Sequence, residues 1–279
     1  MSPDGPAPQS STSSAKRRPV PVGKPVMTQT LHYLPEETLH RIEPARMGHR
    51  YTSVQRVELS DTPSHVAADP GEEVLLVCIA GEAAYRHDDE AGTAVARDML
   101  YLPAGARLEL RGAGAVVMRF GAPCDRPTSF AHLRFADADA DRRHKRYGDP
   151  ARGSRRDVWE LLDERFDSQR FLAGLATGDP GGWTAWPPHE HAAQREETYV
   201  YFGLNGSFGI QCVYEEMDDP LTVALVREGH VVAVPKGYHP SCGSPAGPIS
   251  YAYVMVSVKP DDRDFMDLTI QPEYGTSFE

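Results

Sequence analysis

Short apolar runs at close intervals are the feature that most constrains the fold of this chain. They are rich in Val, Tyr and Phe, and Gly, Pro and Asp turns separate them. The runs are Val74–Ala80, Met99–Leu102, Arg107–Leu110, Val116–Phe120, Thr198–Phe202, Phe208–Val213, Val223–Val226, Val231–Val234 and Ser250–Val258. Strand-length runs at this spacing predict an all-β sandwich or barrel. Alternating strands and helices would need amphipathic helical patterns between the runs, and the sequence offers no convincing ones.

The two halves of the chain repeat each other at low resolution. A glycine follows an apolar strand at Gly81 and again at Gly203, and a Pro-x-Gly turn follows an apolar strand at Pro103 and again at Pro235. A repeat of roughly 120 residues predicts two duplicated β-barrels. The 279 residues of the chain are enough for two domains of ordinary size.

Composition sets the expected bounds of these domains. Residues 1–27 are rich in Ser, Pro and Ala and are predicted to be a disordered tail. Residues 28–135 are expected to form the N-terminal barrel, the highly charged residues 136–157 a solvated linker, and residues 158–279 the C-terminal barrel. The segment Ser154–Phe166 fits either a short helix or a strand that enters the second barrel.

The charge and the cysteines exclude several classes of protein. The formal net charge of −11 argues against nucleic acid as a partner, because phosphate binding needs a clustered basic surface. No apolar run approaches the roughly 20 residues that span a bilayer. The four cysteines form no CxxC pair and no secretory signal precedes them, so we expect reduced thiols in a cytoplasmic protein.

The strongest chemical signal is a set of potential metal ligands in the C-terminal half. His189 and His191 are two residues apart, and on a strand such side chains point to the same face. A carboxylate follows at Glu196 or Glu197, which would point to opposite faces, so only one of them is expected at a metal. His239 comes after a Pro-x-Gly turn. Three imidazoles and one carboxylate suit Zn, Fe, Mn or Ni, and this combination seldom arises from packing alone.

This arrangement resembles the two metal motifs of the cupins. The departure is that only Tyr238 stands between Gly237 and His239, where the second cupin motif has two residues. The resemblance implies a bicupin, with two double-stranded β-helix (jelly-roll) barrels. The N-terminal half has no HxH pair and offers Arg107 at the position of His239, so its barrel is predicted to be metal-free.

Four segments narrow the resemblance further. They are GGWTAWPPHEH, EETYVYF, SFGIQCVY and VPKGYHP. These segments are similar to the 5-deoxyglucuronate isomerases of inositol catabolism and to the related 4-deoxy-5-hexosulose-uronate ketol-isomerases of pectin breakdown. The resemblance extends from about Leu31 to about Val258. It implies a metal-dependent aldose–ketose isomerase that converts a deoxy uronic acid, namely 5-deoxy-D-glucuronate to 2-deoxy-5-keto-D-gluconate.

The resemblance also implies one divalent ion, with Zn favoured over Mn, Fe and Ni. The ligands that it implies are His189, His191, His239 and one glutamate. Alignment of the ETYVYF segment favours Glu197, whereas the general cupin spacing favours Glu196.

Groups that move a proton or bind the substrate are expected beside these motifs. An isomerase needs a group of suitable pKa near the reacting carbon and a cation for the substrate carboxylate. The candidates are Lys236, Tyr238, Tyr199, Tyr214, Gln211 and, as the cation, Arg156. The sequence does not choose among them.

Two other functions fit the same ligands. A metal-dependent cupin dioxygenase would consume oxygen, and a non-catalytic sugar-binding cupin would bind a ligand without turnover. The expected partner is a small sugar acid, and exposed barrel edges allow a homodimer.

Overall fold

A computed structural model describes residues 30–278, so the tail predicted for residues 1–27 lies outside the described residues. The described chain is built almost entirely of short strands, which confirms the all-β prediction. The strands are β1 His32–Tyr33, β2 Ser53–Glu58, β3 Ser64–Ala67, β4 Glu72–Ala80, β5 Glu82–His87, β6 Glu90–Val95, β7 Met99–Leu102, β8 Arg107–Arg111, β9 Val116–Pro123, β10 Ala131–Leu133, β11 His144–Tyr147, β12 Arg156–Leu162, β13 Phe171–Gly178, β14 Trp183–Thr184, β15 His189–Glu190, β16 Arg195–Tyr201, β17 Gly209–Val213, β18 Thr222–Val226, β19 Val231–Val234, β20 Ser241–Gly243, β21 Ile249–Ser257 and β22 Thr269–Ile270.

Helical structure within residues 30–278 is confined to short connecting segments. One α-helix, α1, covers Phe135–Asp139, and the 3-10 segments are Pro35–Thr38, Pro44–Met47, Pro150–Arg152 and Pro272–Tyr274. None of these helices is long and apolar enough to cross a membrane.

The strands form two halves, each with a larger and a smaller antiparallel sheet. The N-terminal half has the sheets β10-β7-β4-β9-β2 and β3-β8-β5-β6. The C-terminal half has the sheets β1-β19-β16-β21-β13-β12-β11 and β14-β20-β17-β18, and β15 pairs with β22 beside them. Strands of the two halves correspond in order, since β7, β4 and β9 are neighbours in one large sheet as β19, β16 and β21 are in the other.

Alternate side chains of β4 enter two different cores. Val74 and Leu76 belong to the core of the N-terminal half. Leu75 and Val77 belong to a larger core that also contains residues of β12, β13, β16 and β21. Burial of both faces explains why β4 is an uninterrupted apolar run, where a sheet with one solvated face would show alternation. The two large sheets are therefore joined by a continuous apolar core.

Two segments differ from the sequence-based expectations. Strand β1, expected in the N-terminal barrel, pairs with β19 of the C-terminal half and covers what would otherwise be a free sheet edge. Residues 136–157, expected as a solvated linker, contain β11, which pairs with β12. Of the two alternatives for Ser154–Phe166, the structure has the strand. The domain bounds themselves remain predictions.

Strands β4 and β16 occupy equivalent places in the two large sheets. Each pairs with a strand that ends before a Pro-x-Gly turn, so Val74 is equivalent to Glu197 and Glu73 to Glu196. Glu73 and Glu196 are both buried. Each carboxylate reaches across to the other half of the molecule.

The contacts of these two carboxylates are reciprocal. Glu196 accepts hydrogen bonds from the backbone N–H groups of residues 50–52, at 2.6 to 3.0 Å, and from the Thr52 hydroxyl at 2.6 Å. Glu73 accepts from the backbone N–H groups of residues 169 and 170, at 2.9 and 2.7 Å, and from the Tyr101 hydroxyl at 2.6 Å. Each segment leads into a strand of its own half, so the two carboxylates clamp the halves together.

Replacing Glu73 with Ala is expected to destabilise the whole fold. The change leaves two buried N–H groups without their acceptor and takes one of two partners from the Tyr101 hydroxyl, at a cost of about 3 kcal/mol or more in the free energy of unfolding. Urea denaturation measures this difference. The matched control is Glu82→Ala, at an exposed carboxylate of β5, which should change the value by less than about 0.5 kcal/mol. Equal values for the two variants would contradict the clamp.

Candidate metal centre

Three histidine side chains converge at one end of the C-terminal half. His189 lies on β15, His191 follows two residues later, and His239 comes between the turn at Gly237 and β20. Each offers a ring nitrogen, and these nitrogens all lie within 4.8 Å of one another. His191 and His239 are buried, and His189 is half-buried.

Backbone carbonyls fix the orientation of all three rings. In each histidine Nδ1 lies within hydrogen-bonding distance of a nearby carbonyl oxygen, to which it can donate, and this contact leaves Nε2 facing the other rings. The contacts are His189 to Pro187 O at 3.0 Å, His191 to Arg195 O at 3.2 Å and His239 to Gly237 O at 2.9 Å. Metal-binding histidines are usually held in this way.

Glu197 completes the cluster. Its Oε2 atom lies 3.2 Å from His191 Nε2 and 3.1 Å from His239 Nε2. Burial alone would raise the pKa of this carboxyl, but His191 and His239 outweigh burial and hold the pKa well below its ordinary value. Glu197 is therefore an anion among imidazoles, as in a mixed His and carboxylate metal site.

Glu196 lies on the opposite face of β16. Its carboxylate is occupied by the backbone of residues 50–52, as described above, and takes no part in the cluster. Because side chains alternate between the two faces of a strand, Glu197 faces the histidine cluster and Glu196 faces the N-terminal half.

The charge state of the cluster fits a metal ion. Burial lowers the pKa of His189 well below its ordinary value of 6.5, and the neighbouring His239 and His191 lower it further. His239 Nε2 is buried and, among the described residues, has no partner aligned for a hydrogen bond. A buried polar atom without a partner is costly, and a cation held between neutral imidazoles and a carboxylate would satisfy it.

A cavity of about 70 Å³ adjoins the cluster. Its wall contains His189, His191 and Glu197, together with Tyr199 and Arg156. The remaining lining side chains are aromatic or apolar. They are Tyr147, Val158, Ala176, Ala185, Tyr251, Tyr253, Met255, Phe265, Met266, Leu268 and Phe278.

Two of the candidate catalytic residues line this cavity. Tyr199 stacks on Tyr251 with ring centroids 4.5 Å apart. Burial raises the pKa of Tyr199 well above its ordinary value, and it raises the pKa of Tyr251 to about 12. Arg156 is buried, and its guanidinium donates to two backbone carbonyls, those of Ser154 at 3.1 Å and Trp186 at 2.6 Å. Among the described residues it has no carboxylate within ion-pair distance.

Gln211 lies behind the cluster. Its side-chain amide donates to His239 O at 2.6 Å, and its carbonyl oxygen accepts from the Tyr201 hydroxyl. Gln211 is fully buried, so these contacts hold the backbone of His239 in place.

The other three candidates lie away from the cavity wall. Lys236 is exposed and forms an ion pair with Glu215. The Tyr214 hydroxyl donates to Gln271 Oε1 at 2.8 Å, and Tyr238 packs against the Tyr214 ring. Lys236 and Tyr238 lie in the turn after β19 and Tyr214 follows β17, so nearness in sequence to the metal motifs does not bring these side chains to the cavity.

Sequence reasoning did not select several residues of the cavity wall. Tyr251, Tyr253 and Met255 alternate along β21, and this period of two was a usable signal for side chains that share the face of Glu197. Tyr147 and Phe278 have no such pattern around them in the sequence. Tyr147 lies in residues 136–157, which were expected to be a linker, and Phe278 follows the last of the metal-ligand motifs.

The chain matches the KduI/IolB family over residues 29–274, and it belongs to this family. The family resemblance predicted from the sequence is thereby confirmed. A protein named 4-deoxy-L-threo-5-hexosulose-uronate ketol-isomerase 2, from Rhizobium meliloti (strain 1021), is 25% identical over 206 residues, which are 72% of this chain and 70% of the relative. The 5-deoxy-glucuronate isomerase of Geobacillus kaustophilus (strain HTA426) is 33% identical over 109 residues, which are 36% of this chain and 39% of the relative. These relatives confirm the prediction of an isomerase.

Solved structures confirm the predicted bicupin fold. An IolB-like protein from Salmonella typhimurium LT2 superposes with a TM-score of 0.72 at 20% identity, covering 85% of this chain and 94% of the other. The oxalate decarboxylase OxdC of Bacillus subtilis superposes with a TM-score of 0.58 at 12% identity, covering 85% and 78%. At these identities the likeness concerns the fold alone.

Replacing Gln211 with Ala is expected to loosen the backbone of His239. The change removes a buried donor and acceptor, leaves the carbonyl of His239 unpaired and leaves the Tyr201 hydroxyl with Ser241 Oγ as a partner, which costs about 2–4 kcal/mol in the free energy of unfolding. Urea denaturation of the metal-free protein measures it. Gln55→Ala, at an exposed hydrogen bond of β2, is the control and should change the value by less than about 0.5 kcal/mol. A stable Gln211→Ala protein would mean that His239 is held by other contacts.

Proposed function

We propose that this chain binds one divalent metal ion and isomerises a small sugar acid between its aldose and ketose forms. The observation that carries the proposal is the convergence of three oriented imidazoles and one buried carboxylate at a cavity. The ligands proposed are His189, His191, His239 and Glu197.

We propose Zn²⁺ as the ion, with Mn²⁺, Fe²⁺ and Ni²⁺ as alternatives that the same ligands accept. When bound, the ion would polarise the carbonyl and hydroxyl oxygens on the two adjacent carbons between which the hydrogen moves. Ligands fixed by backbone carbonyls favour a site of defined geometry, because each ring is held before the ion arrives.

The substrate proposed is a deoxy uronic acid, with 5-deoxy-D-glucuronate as the first choice and 2-deoxy-5-keto-D-gluconate as its product. The names of the relatives support this choice. The match to the Geobacillus isomerase spans 39% of that protein, whereas the match to the ketol-isomerase spans 70%. A 4-deoxy-5-hexosulose-uronate is therefore the second substrate to test.

Arg156 is proposed to bind the carboxylate of the substrate. An arginine keeps its positive charge when buried, and a buried charge is costly unless an anion compensates it. Backbone carbonyls of Ser154 and Trp186 satisfy part of its hydrogen-bonding capacity without neutralising it. A carboxylate that entered the cavity would supply the missing negative charge in the bidentate geometry that arginine favours.

Tyr199 and Tyr251 are proposed to orient the oxygen atoms of the substrate. Their raised pKa values keep both phenols protonated at neutral pH, so each can donate a hydrogen bond to a substrate oxygen. A protonated phenol cannot abstract a proton, so neither tyrosine serves as the resting base. Gln211 is proposed as a positioning residue, which acts through the backbone of His239.

Metal content tests the proposed ligands. The purified wild type is expected to hold about one divalent ion per chain by elemental analysis, and the His189→Ala/His191→Ala variant none. Glu197→Gln should weaken metal binding more than about 100-fold, beyond the 10–100-fold typical of outer-shell partners. His65→Ala, on β3 of the N-terminal half, is the control and should retain the ion. A wild type that binds no metal after reconstitution would refute the metal proposal.

Turnover tests the proposed role of Arg156. The metal-loaded wild type should convert 5-deoxyglucuronate to the ketose, as followed by NMR. Arg156→Gln should lower kcat/KM about 10–100-fold through a raised KM, because a charge-assisted pair to the carboxylate is lost. Arg142→Gln, at an exposed arginine that lines neither the cavity nor the clefts beside it, should match the wild type. If metal is bound but neither uronate reacts, the isomerase proposal is wrong for these substrates, and oxygen uptake would then favour the dioxygenase.

A further inference from the structure

The cavity beside the metal centre is smaller than the clefts around it. The cavity holds about 70 Å³, whereas ligand sites for small molecules usually measure about 300–1,000 Å³. Two surface clefts of about 670 and 240 Å³ lie beside it. A uronic acid of six carbons needs more room than the cavity alone provides, so the wall between cavity and cleft has to open for it.

Phe278 is the part of that wall that borders both clefts. Among the described residues it is the only one that lines all three spaces, namely the cavity and both clefts. Its ring lies edge-on to His189, with centroids 5.1 Å apart, and 6.2 Å from the ring of Tyr147. The Arg156 guanidinium lies 5.8 Å from the ring centroid. One side chain thus covers both a proposed metal ligand and the proposed carboxylate-binding residue.

The chain that leads to Phe278 is anchored as far as Tyr274. Strand β22 pairs with β15, the backbone N–H of Gln271 donates to Pro188 O at 2.8 Å, and the Tyr274 ring lies 5.1 Å from the Trp186 ring. These contacts fix the segment before Gly275 against the strand that carries His189.

Residues 275–278 are held differently. No hydrogen bond joins them to another described residue, so the ring contacts of Phe278 are what keeps this short segment in place. Gly275 has φ +114° and ψ −163°, a backbone conformation that residues other than glycine rarely adopt. A glycine next to an anchored segment is a suitable pivot, because its backbone can turn without a steric clash.

We propose that Phe278 is the gate of the metal cavity. Rotation about Gly275 would lift the ring from His189 and Arg156 and would join the cavity to the two clefts. The substrate would enter while the ring is lifted, and the returning ring would exclude water from the reacting atoms. This inference rests on the proposed function for the identity of the substrate, but the movement of the ring can be tested without turnover.

The first test measures access to the bound ion. Wild type, Phe278→Ala and Gly275→Ala proteins are loaded with Zn²⁺, and the rate at which excess EDTA removes the ion is recorded. Phe278→Ala should release Zn²⁺ at least 5-fold faster than the wild type. Gly275→Ala should also accelerate release, because a methyl group there meets no atom within 4 Å but strains the backbone at φ +114°. Phe208→Ala, at an exposed ring that lines none of the three spaces, is the matched control.

The second test needs neither metal nor substrate. Metal-free proteins are treated with diethyl pyrocarbonate, and the rate of modification of His189 is followed by mass spectrometry. Faster modification in Phe278→Ala and Gly275→Ala than in wild type and Phe208→Ala supports the gate. If all four proteins react at the same rate at His189, the gate is wrong even where the isomerase proposal stands. If the protein binds no metal, the isomerase proposal fails and this second test still decides the gate.

Discussion

The carboxylate of Glu196 accepts hydrogen bonds from three consecutive backbone N–H groups of the N-terminal half, and the position of the candidate metal centre depends on this contact. It fixes the first residues of β16 against residues 50–52, and the next residue on that strand is Glu197. The equivalent Glu73 makes the reciprocal contact, and the Arg170 guanidinium lies 4.5 Å from the Tyr51 ring between the two. The N-terminal half thereby determines where a proposed metal ligand stands.

The two adjacent glutamates of β16, Glu196 and Glu197, therefore have different structural roles. Because side chains alternate across a strand, Glu196 faces the junction of the two halves and Glu197 faces the cavity. A shift of β16 by one residue would exchange these places, but Glu197 pairs across the sheet with Val234 and Met255, and these pairings fix the register. Sheet register is thus a condition for the chemistry proposed here as well as for the core.

The sequence was informative where the positions of the candidate metal ligands follow from the regular alternation of side chains along a strand. The HxH spacing and the Pro-x-Gly turn placed three histidines together because both depend on local backbone geometry. Nearness in sequence to a metal ligand did not predict a place in the cavity. Lys236 is three residues from His239, but it forms an ion pair with Glu215 outside the cavity. Pairing of β1 with β19 joins residues far apart in the chain, and no local pattern specifies such a contact. Phe278 was missed for the same reason, because only the folded chain brings it to His189.

Pairing of β1 with β19 also sets an order of events during synthesis. His32 pairs with Val232, so the first described strand waits for a partner made about 200 residues later, which takes roughly 10–40 s at the usual rate of translation. Residues 50–52 likewise wait for the carboxylate of Glu196, which is made about 145 residues after them. The N-terminal half therefore leaves the ribosome with an open strand edge, and its exposed backbone is a point where chaperones or a second nascent chain would bind.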